Sequence, residues 1–135
     1  MIPLSYAQHR LWFLSRIDDS PAYNVPVAVR LRGRIDRKNL RAALGDVLVR
    51  HESLRTIFPA TPDGDPYQRV IEPDVAELPW ADWGCSADAL DEAVSNAARY
   101  VFDLTRELPI RATLFRVNAE DHVLLVVMHH IVSDG

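Results

Sequence analysis

The stretch that decides the fold is residues 123–135, which reads Val-Leu-Leu-Val-Val-Met-His-His-Ile-Val-Ser-Asp-Gly. Its first six residues are apolar, three of them are β-branched, and no Gly or Pro interrupts them. This composition predicts a strand that is buried on both faces. The strand ends in four polar residues, His129, His130, Ser133 and Asp134. Because titratable groups are costly to bury, we expect the chemistry of the protein at this strand end.

The two histidines of this stretch are adjacent, and adjacent residues of a strand point to opposite sides. Only one of His129 and His130 can therefore face a given cavity, and the other must be held inside the fold. Asp134 follows four residues after His130, beside Gly135, which can adopt unusual backbone angles. This spacing favours a loop in which the carboxylate turns back and braces the histidines.

Three helices are predicted around the strand. Ser5 and Gln8 have the spacing of a capping box, and the first helix is expected to run to about Arg16. Asp36 is expected to cap a second helix and Ser86 a third. Apolar residues recur at helical spacing in both: Leu40, Ala43, Leu44, Val47 and Leu48 in the second, and Leu90, Ala93, Val94, Ala97, Ala98 and Val101 in the third.

The remaining segments alternate with these helices and favour strands. Residues 25–31 alternate between apolar and other side chains, and Pro26 indicates either an edge strand or the first residues of a strand. Further strands are predicted at residues 54–58, 67–71 and 110–117, with residues 118–121 turning the last of them into the motif strand as an antiparallel hairpin. Residues 72–84 are expected to be irregular, and residues 102–109 to be a connector. The fold class predicted is α/β, a two-layer sandwich with a mixed sheet.

Length and composition restrict the possible functions. The chain has 135 residues, of which 48% are hydrophobic, enough for one domain or part of a larger one. Its net charge is −4 and no basic stripe is present, so nucleic acid is not an expected partner. A lone cysteine, Cys85, excludes an internal disulfide. We find no signal peptide and no apolar run long enough for a bilayer, and expect a cytoplasmic protein without membrane partners. Because the chain stops just after its richest motif, we expect a truncated part of a larger domain.

Three motifs carry a family resemblance. His-His-Ile-Val-Ser-Asp-Gly at residues 129–135 resembles the HHxxxDG signature of condensation domains from nonribosomal peptide synthetases. Leu-Ser-Tyr-Ala-Gln-His-Arg-Leu-Trp-Phe-Leu at residues 4–14 is similar to their SxAQxRLWxL motif, and Arg-His-Glu-Ser-Leu-Arg-Thr-Ile-Phe at residues 50–58 to their RHExLRTxF motif. The motifs occur in the family's order and span the chain.

The resemblance implies a fold, a reaction and site residues. The fold is a half domain like that of chloramphenicol acetyltransferase, with residues 1–135 as the N-terminal subdomain. The reaction is amide synthesis between a donor thioester and the amine of an acceptor aminoacyl thioester. His130 is then the catalytic residue in the reaction channel, and the Gly135 N–H could stabilise the oxyanion. His129 packs inward, and Asp134 holds the loop with Arg55 as its suspected partner, although spacing alone would make Arg55 a solvated residue.

The resemblance also implies partners. The domain binds no cofactor of its own, since its substrates arrive on the phosphopantetheine arms of donor and acceptor peptidyl carrier domains. A C-terminal subdomain completes the channel, so this chain alone is expected to be inactive and to expose an apolar patch where that subdomain docks.

Other functions remain open at this stage. Epimerisation domains and acyltransferases that use coenzyme A share the histidine motif, and some relatives recruit partner enzymes without catalysing a reaction. A metal site made of His129, His130 and Asp134 is disfavoured because neighbouring side chains of a strand diverge.

Overall fold

The structure is a computed structural model that describes residues 2–132. Within that range it contains three α-helices and six strands. In chain order these are α1 (Tyr6–Ile17), β1 (Asn24–Arg32), α2 (Arg37–Arg50), β2 (Thr56–Ile57), β3 (Arg69–Val70), β4 (Trp80–Gly84), α3 (Leu90–Ala98), β5 (Ile110–Asn118) and β6 (Asp121–His129). Among the described residues no helix is both long and apolar enough to span a membrane.

Four of the strands form one mixed sheet, in the order β1-β6-β5-β4. The pairs β1–β6 and β6–β5 are antiparallel, whereas β4 and β5 are parallel. The hairpin predicted between β5 and the motif strand is confirmed, and its turn is closed by the Glu120 N–H, which donates to Asn118 Oδ1 at 2.8 Å. The position of β1 at one edge confirms the prediction drawn from Pro26.

The first helix begins as its sequence predicts. The Gln8 N–H donates to Ser5 Oγ at 3.2 Å, and the Ser5 N–H donates to Gln8 Oε1 at 2.8 Å, which completes the capping box. Leu11 and Trp12 enter the core from α1, and Trp12 Nε1 donates to the Phe58 carbonyl at 2.8 Å. This bond satisfies a buried indole N–H and joins α1 to the segment after β2.

The two faces of β6 have different environments. Val123, Leu125 and Val127 are buried in the main core cluster, which α3 enters through Leu90. The residues between them on the other face, Leu124, Val126 and Met128, are only half-buried. The prediction of a strand buried on both faces is therefore wrong for one face of the described structure, because nothing in residues 2–132 fully covers it.

Three predicted boundaries are corrected. Trp80–Gly84 was expected to be irregular but forms β4, since its backbone pairs with β5 although Trp-Ala-Asp-Trp-Gly has no strand-like alternation. At residues 54–58 only β2 is extended, and the preceding Glu52–Arg55 forms a 3-10 turn. Ser86 accepts from the Ala89 N–H, but α3 begins at Leu90 and ends at Ala98, before Val101.

Candidate functional site

The motif histidines lie where β6 ends. His129 is the last residue of the strand, and His130 is the first residue of the 3-10 turn His130–Val132. The His129 N–H donates to the Pro109 carbonyl at 2.9 Å, so the strand stays anchored to its neighbour up to this residue. The turn then changes the direction of the backbone. The two side chains consequently have different surroundings although they are adjacent in sequence.

His129 lies inside the protein, with 4% of its surface exposed. The ring of Phe102 approaches it edge-on, with ring centroids 6.3 Å apart, and the ring of Tyr23 lies 6.4 Å away in a tilted arrangement. Its Nδ1 accepts a hydrogen bond from the Ile131 N–H at 3.0 Å. Sequence reasoning missed both aromatic neighbours, because Phe102 and Tyr23 lie 27 and 106 residues earlier in the chain and nothing in their local sequence indicates this contact.

The environment keeps the imidazole of His129 neutral. Burial, and next the charge of His130, lower the pKa of His129 from its ordinary value of 6.5 to about 4. The bond from Ile131 acts in the same direction, because a nitrogen that accepts a hydrogen bond cannot carry a proton at the same time. A neutral ring fixed in this way suits a structural role, and it holds the backbone immediately after His130.

His130 is partly exposed, unlike its neighbour. The adjoining α1 contacts the turn that carries His130, and Ile131 and Val132 of that turn are buried in the core. His130 is thus the more exposed histidine of the pair. Its backbone is held on one side by the bond of His129 to Pro109 and on the other by the buried Ile131 and Val132. Ser133, Asp134 and Gly135 lie outside the described residues, so the predictions of a bracing carboxylate and an oxyanion-binding N–H stay predictions.

Arg55 is buried, with 6% of its surface exposed. Its Nε donates to the Leu48 carbonyl at 3.0 Å, and its Nη1 donates to the Ile71 carbonyl at 2.7 Å. Leu48 lies in the last turn of α2, where helix carbonyls have no partner within the helix. The guanidinium therefore joins α2 to the segment after β3. The expected pairing with Asp134 involves a residue outside the described range and stays a prediction.

A contiguous apolar surface, here called the open sheet face, lies beside the motif. The β1–β6 register places Val25, Val27 and Val29 on the same side as the half-buried residues of β6. Val27 and Val29 are 49% and 46% exposed. The members of the face are Val25, Val27, Val29, Leu124, Val126 and Met128. Because Met128 precedes His130 by two residues, the open sheet face extends to the end of β6 that carries the motif.

No metal centre is evident in residues 2–132, where no three His, Cys, Asp or Glu side chains come together in a way that could hold an ion. His129 faces the aromatic rings of the core, whereas His130 is partly exposed. The arrangement suits the orientation of a substrate or the transfer of a proton at His130.

The chain is similar to known proteins over almost its whole length. A family model described as "Condensation domain" matches residues 1–135. The chain is 50% identical, over 99% of its length, to the isonitrile lipopeptide synthase of Mycobacterium tuberculosis, of which it covers 6%. It is 47% identical, over 99% of its length, to a dimodular nonribosomal peptide synthase of Bacillus subtilis, of which it also covers 6%.

Solved structures agree with the fold. The X-domain from teicoplanin biosynthesis, in a complex with OxyB, superimposes with a TM-score of 0.86 and 36% identity over 95% of this chain and 28% of that one. The starter condensation domain of rhizomide synthetase, at 24% identity and a TM-score of 0.83, shares the fold over 96% of this chain and 32% of that one. The chain thus spans about a third or less of these solved chains.

Proposed function

Because the chain belongs to the condensation-domain family, we propose that the complete protein joins two carrier-bound substrates through a new amide bond. Residues 1–135 form its N-terminal subdomain, and the reaction takes place beside His130. The observation that carries this proposal is the division of the histidine pair, with His129 neutral and buried and His130 partly exposed at the end of the open sheet face. The cytoplasmic location expected from the sequence is part of the same proposal.

The reaction needs a positioned amine more than a strong base. The amine nitrogen attacks the thioester carbonyl carbon, a C–N bond forms, the C–S bond breaks, and the proton lost by nitrogen ends on the departing thiol. An α-amine with a pKa of about 7.8 is roughly one-seventh neutral at pH 7, so deprotonating it beforehand gains only about 1 kcal/mol. Holding two tethered reactants in place can supply about 7–11 kcal/mol. His130 then orients the amine and accepts its proton as the bond forms.

The open sheet face is an argument that a second subdomain covers it in the complete protein. Six apolar residues on two paired strands remain exposed or half-buried, and soluble proteins rarely leave such a contiguous surface uncovered. The solved relatives are about three times as long as this chain, which leaves ample length for a covering subdomain. A subdomain placed there would also enclose His130 and exclude water from the reaction.

A second exposed apolar surface favours a carrier domain as a partner. On α1, Tyr6, Phe13 and Ile17 point away from the core, and Ile17 is 81% exposed. Because α1 contacts the turn of His130, a carrier domain docked on its outer side would hold its substrate near that residue. The phosphopantetheine arms of such carriers would bring both substrates, and the domain itself would need no cofactor.

The proposal is tested with a protein that contains the whole condensation domain. Donor and acceptor carrier domains loaded with aminoacyl groups are supplied, and the amide product is measured by mass spectrometry. We expect His130→Ala to lose about two to four orders of magnitude in turnover. His51→Ala, which changes an exposed histidine, serves as the matched control. Equal turnover by His130→Ala and the wild type would falsify the assignment.

The same assay separates the alternative functions. An epimerisation domain would exchange the α-proton of a tethered substrate for deuterium without forming an amide, and an acyltransferase would accept coenzyme A thioesters. A recruiting function is favoured by one observation, the similarity to an X-domain that was solved in complex with OxyB. Tight binding of a partner enzyme by a protein that forms no amide would support that function instead.

A further inference from the structure

We propose that Asn24 is a positioning residue for the motif histidines, an inference that rests on the function proposed above. Asn24 is the first residue of β1, and its backbone lies opposite His129 in the β1–β6 register. It carries no charge and contributes nothing to the reaction directly. Its role follows from the bonds of its side chain and from what those bonds hold in place.

The side-chain amide of Asn24 joins two parts of the chain that lie far apart in sequence. Its Nδ2 donates to the Ala98 carbonyl at 3.1 Å and to the Tyr100 carbonyl at 2.6 Å. Ala98 is the last residue of α3, where helix carbonyls have no partner within the helix. A primary amide suits this site because it offers two N–H groups on one uncharged nitrogen.

The segment from Ala98 to Phe102, whose Ala98 and Tyr100 carbonyls accept from Asn24, lies on one side of the ring of His129. The ring of Tyr100 meets the ring of Phe102 edge-on, with centroids 5.1 Å apart, and Phe102 in turn meets His129 edge-on. On the other side, the residue before Asn24 is Tyr23, whose ring also contacts His129. Asn24 thus connects the start of β1, which Tyr23 immediately precedes, to the segment after α3 that carries Phe102.

The ring of Tyr100 is itself held in place. The guanidinium of Arg111 lies 4.0 Å from the ring centroid, and the Tyr100 hydroxyl donates to Glu107 Oε2 at 2.5 Å. These contacts fix the ring against β5 and the connector but do not fix the Tyr100 backbone relative to β1. The bond from Asn24 supplies that connection.

A shift in the segment from Ala98 to Phe102 would reach the reacting residue through one hydrogen bond. The Ile131 N–H donates to Nδ1 of His129, and this bond fixes the backbone that immediately follows His130. If the ring of His129 moves, the bond from the Ile131 N–H to Nδ1 lengthens. The turn that carries His130 is then no longer held in one position. A misplacement of about 1 Å at a reacting group can lower a rate by about a hundredfold.

The test compares Asn24→Asp with Asn96→Asp in a protein containing the whole condensation domain. Asp at position 24 keeps the size of the side chain but cannot donate to the two carbonyls. Asn96 is exposed near the same end of α3, and its Oδ1 accepts from Arg99 Nη2 at 2.6 Å, an interaction that Asp retains. Asn24→Ser, which keeps one donor, provides a milder variant if Asn24→Asp does not fold.

Two readouts distinguish positioning from a purely structural role. We expect Asn24→Asp to lower kcat about ten- to a hundredfold with KM for both carriers unchanged, Asn24→Ser to fall between it and the wild type, and Asn96→Asp to match the wild type. In ¹⁵N spectra of histidine-labelled protein, Asn24→Asp should alter the Nδ1 signal of His129. A lower Tm with unchanged kcat and an unchanged Nδ1 signal would overturn the proposal. If the protein formed no amide at all, the Nδ1 signal would still decide whether Asn24 holds His129.

Discussion

The buried ring of His129 should make the stability of the protein depend on pH. The unfolded chain takes up a proton at this residue near pH 6.5, whereas in the folded protein the pKa of His129 is lowered to about 4. Its contribution to stability is therefore complete above pH 6.5 and is lost as the pH falls towards 4. With 1.36 kcal/mol for each pKa unit, the loss is about 2 kcal/mol between pH 7 and pH 5 and roughly 3 kcal/mol by pH 4.

The range from pH 7 to pH 5 is the informative one, because most carboxylates titrate below it. The free energy of unfolding is measured by urea titration at both pH values and followed by the fluorescence of tryptophan, of which Trp12 is buried. The key variant is His129→Asn, whose side-chain oxygen can replace Nδ1 as the acceptor for Ile131 and does not titrate. His51→Asn changes an exposed histidine and serves as the control.

We expect the wild type and His51→Asn to lose about 2 kcal/mol more than His129→Asn when the pH falls from 7 to 5. The His129→Asn protein should be less stable at both pH values, because it lacks the ring that packs against Phe102 and Tyr23. An equal pH dependence in all three proteins would show that His129 takes up a proton as readily in the folded as in the unfolded chain, and the description of a neutral buried ring would be refuted.

Three other predictions concern residues that surround His130 or form the proposed docking surface on α1. Arg55→Met should lower the free energy of unfolding by about 2–4 kcal/mol in urea titrations, since two backbone carbonyls lose a charged donor; a change below the error of the titration would contradict this. Asp134→Ala should lower both Tm and turnover, and an unchanged Tm would argue that Asp134 braces nothing. Ile17→Gln should raise KM for a carrier domain about tenfold without changing Tm, while Val75→Gln, at a residue 66% exposed elsewhere, should not; equal KM values would exclude α1 as the docking surface.

Local patterns in the sequence predicted the features that depend on neighbouring residues. The capping box of α1 was predicted from Ser5 and Gln8, because both partners lie within one helical turn. The β5–β6 hairpin and the edge position of β1 followed for the same reason, since a short turn and a proline act on the backbone next to them. The order of three motifs indicated the family, which the comparisons confirm.

The site was predicted less completely than the fold. The sequence identified the histidine pair, but the rings that enclose His129 and the bonds of Asn24 were not foreseen, because each joins segments far apart in the chain. Arg55 was expected to be buried with a carboxylate, yet the donors that the structure describes reach backbone carbonyls. A carbonyl leaves no trace in the sequence, because every residue has one.

The sequence by itself determined where α1 and α2 begin, which residues could carry the chemistry, and which family the chain resembles. Only the tertiary structure decided that Trp80–Gly84 joins the sheet and that the side chains on one face of β6 are only half-buried. A parallel partner lies about 30 residues away from β4, and burial depends on which elements pack against a strand. Neither the partner nor the covering element is specified by the residues of the strand itself, so both were settled by packing.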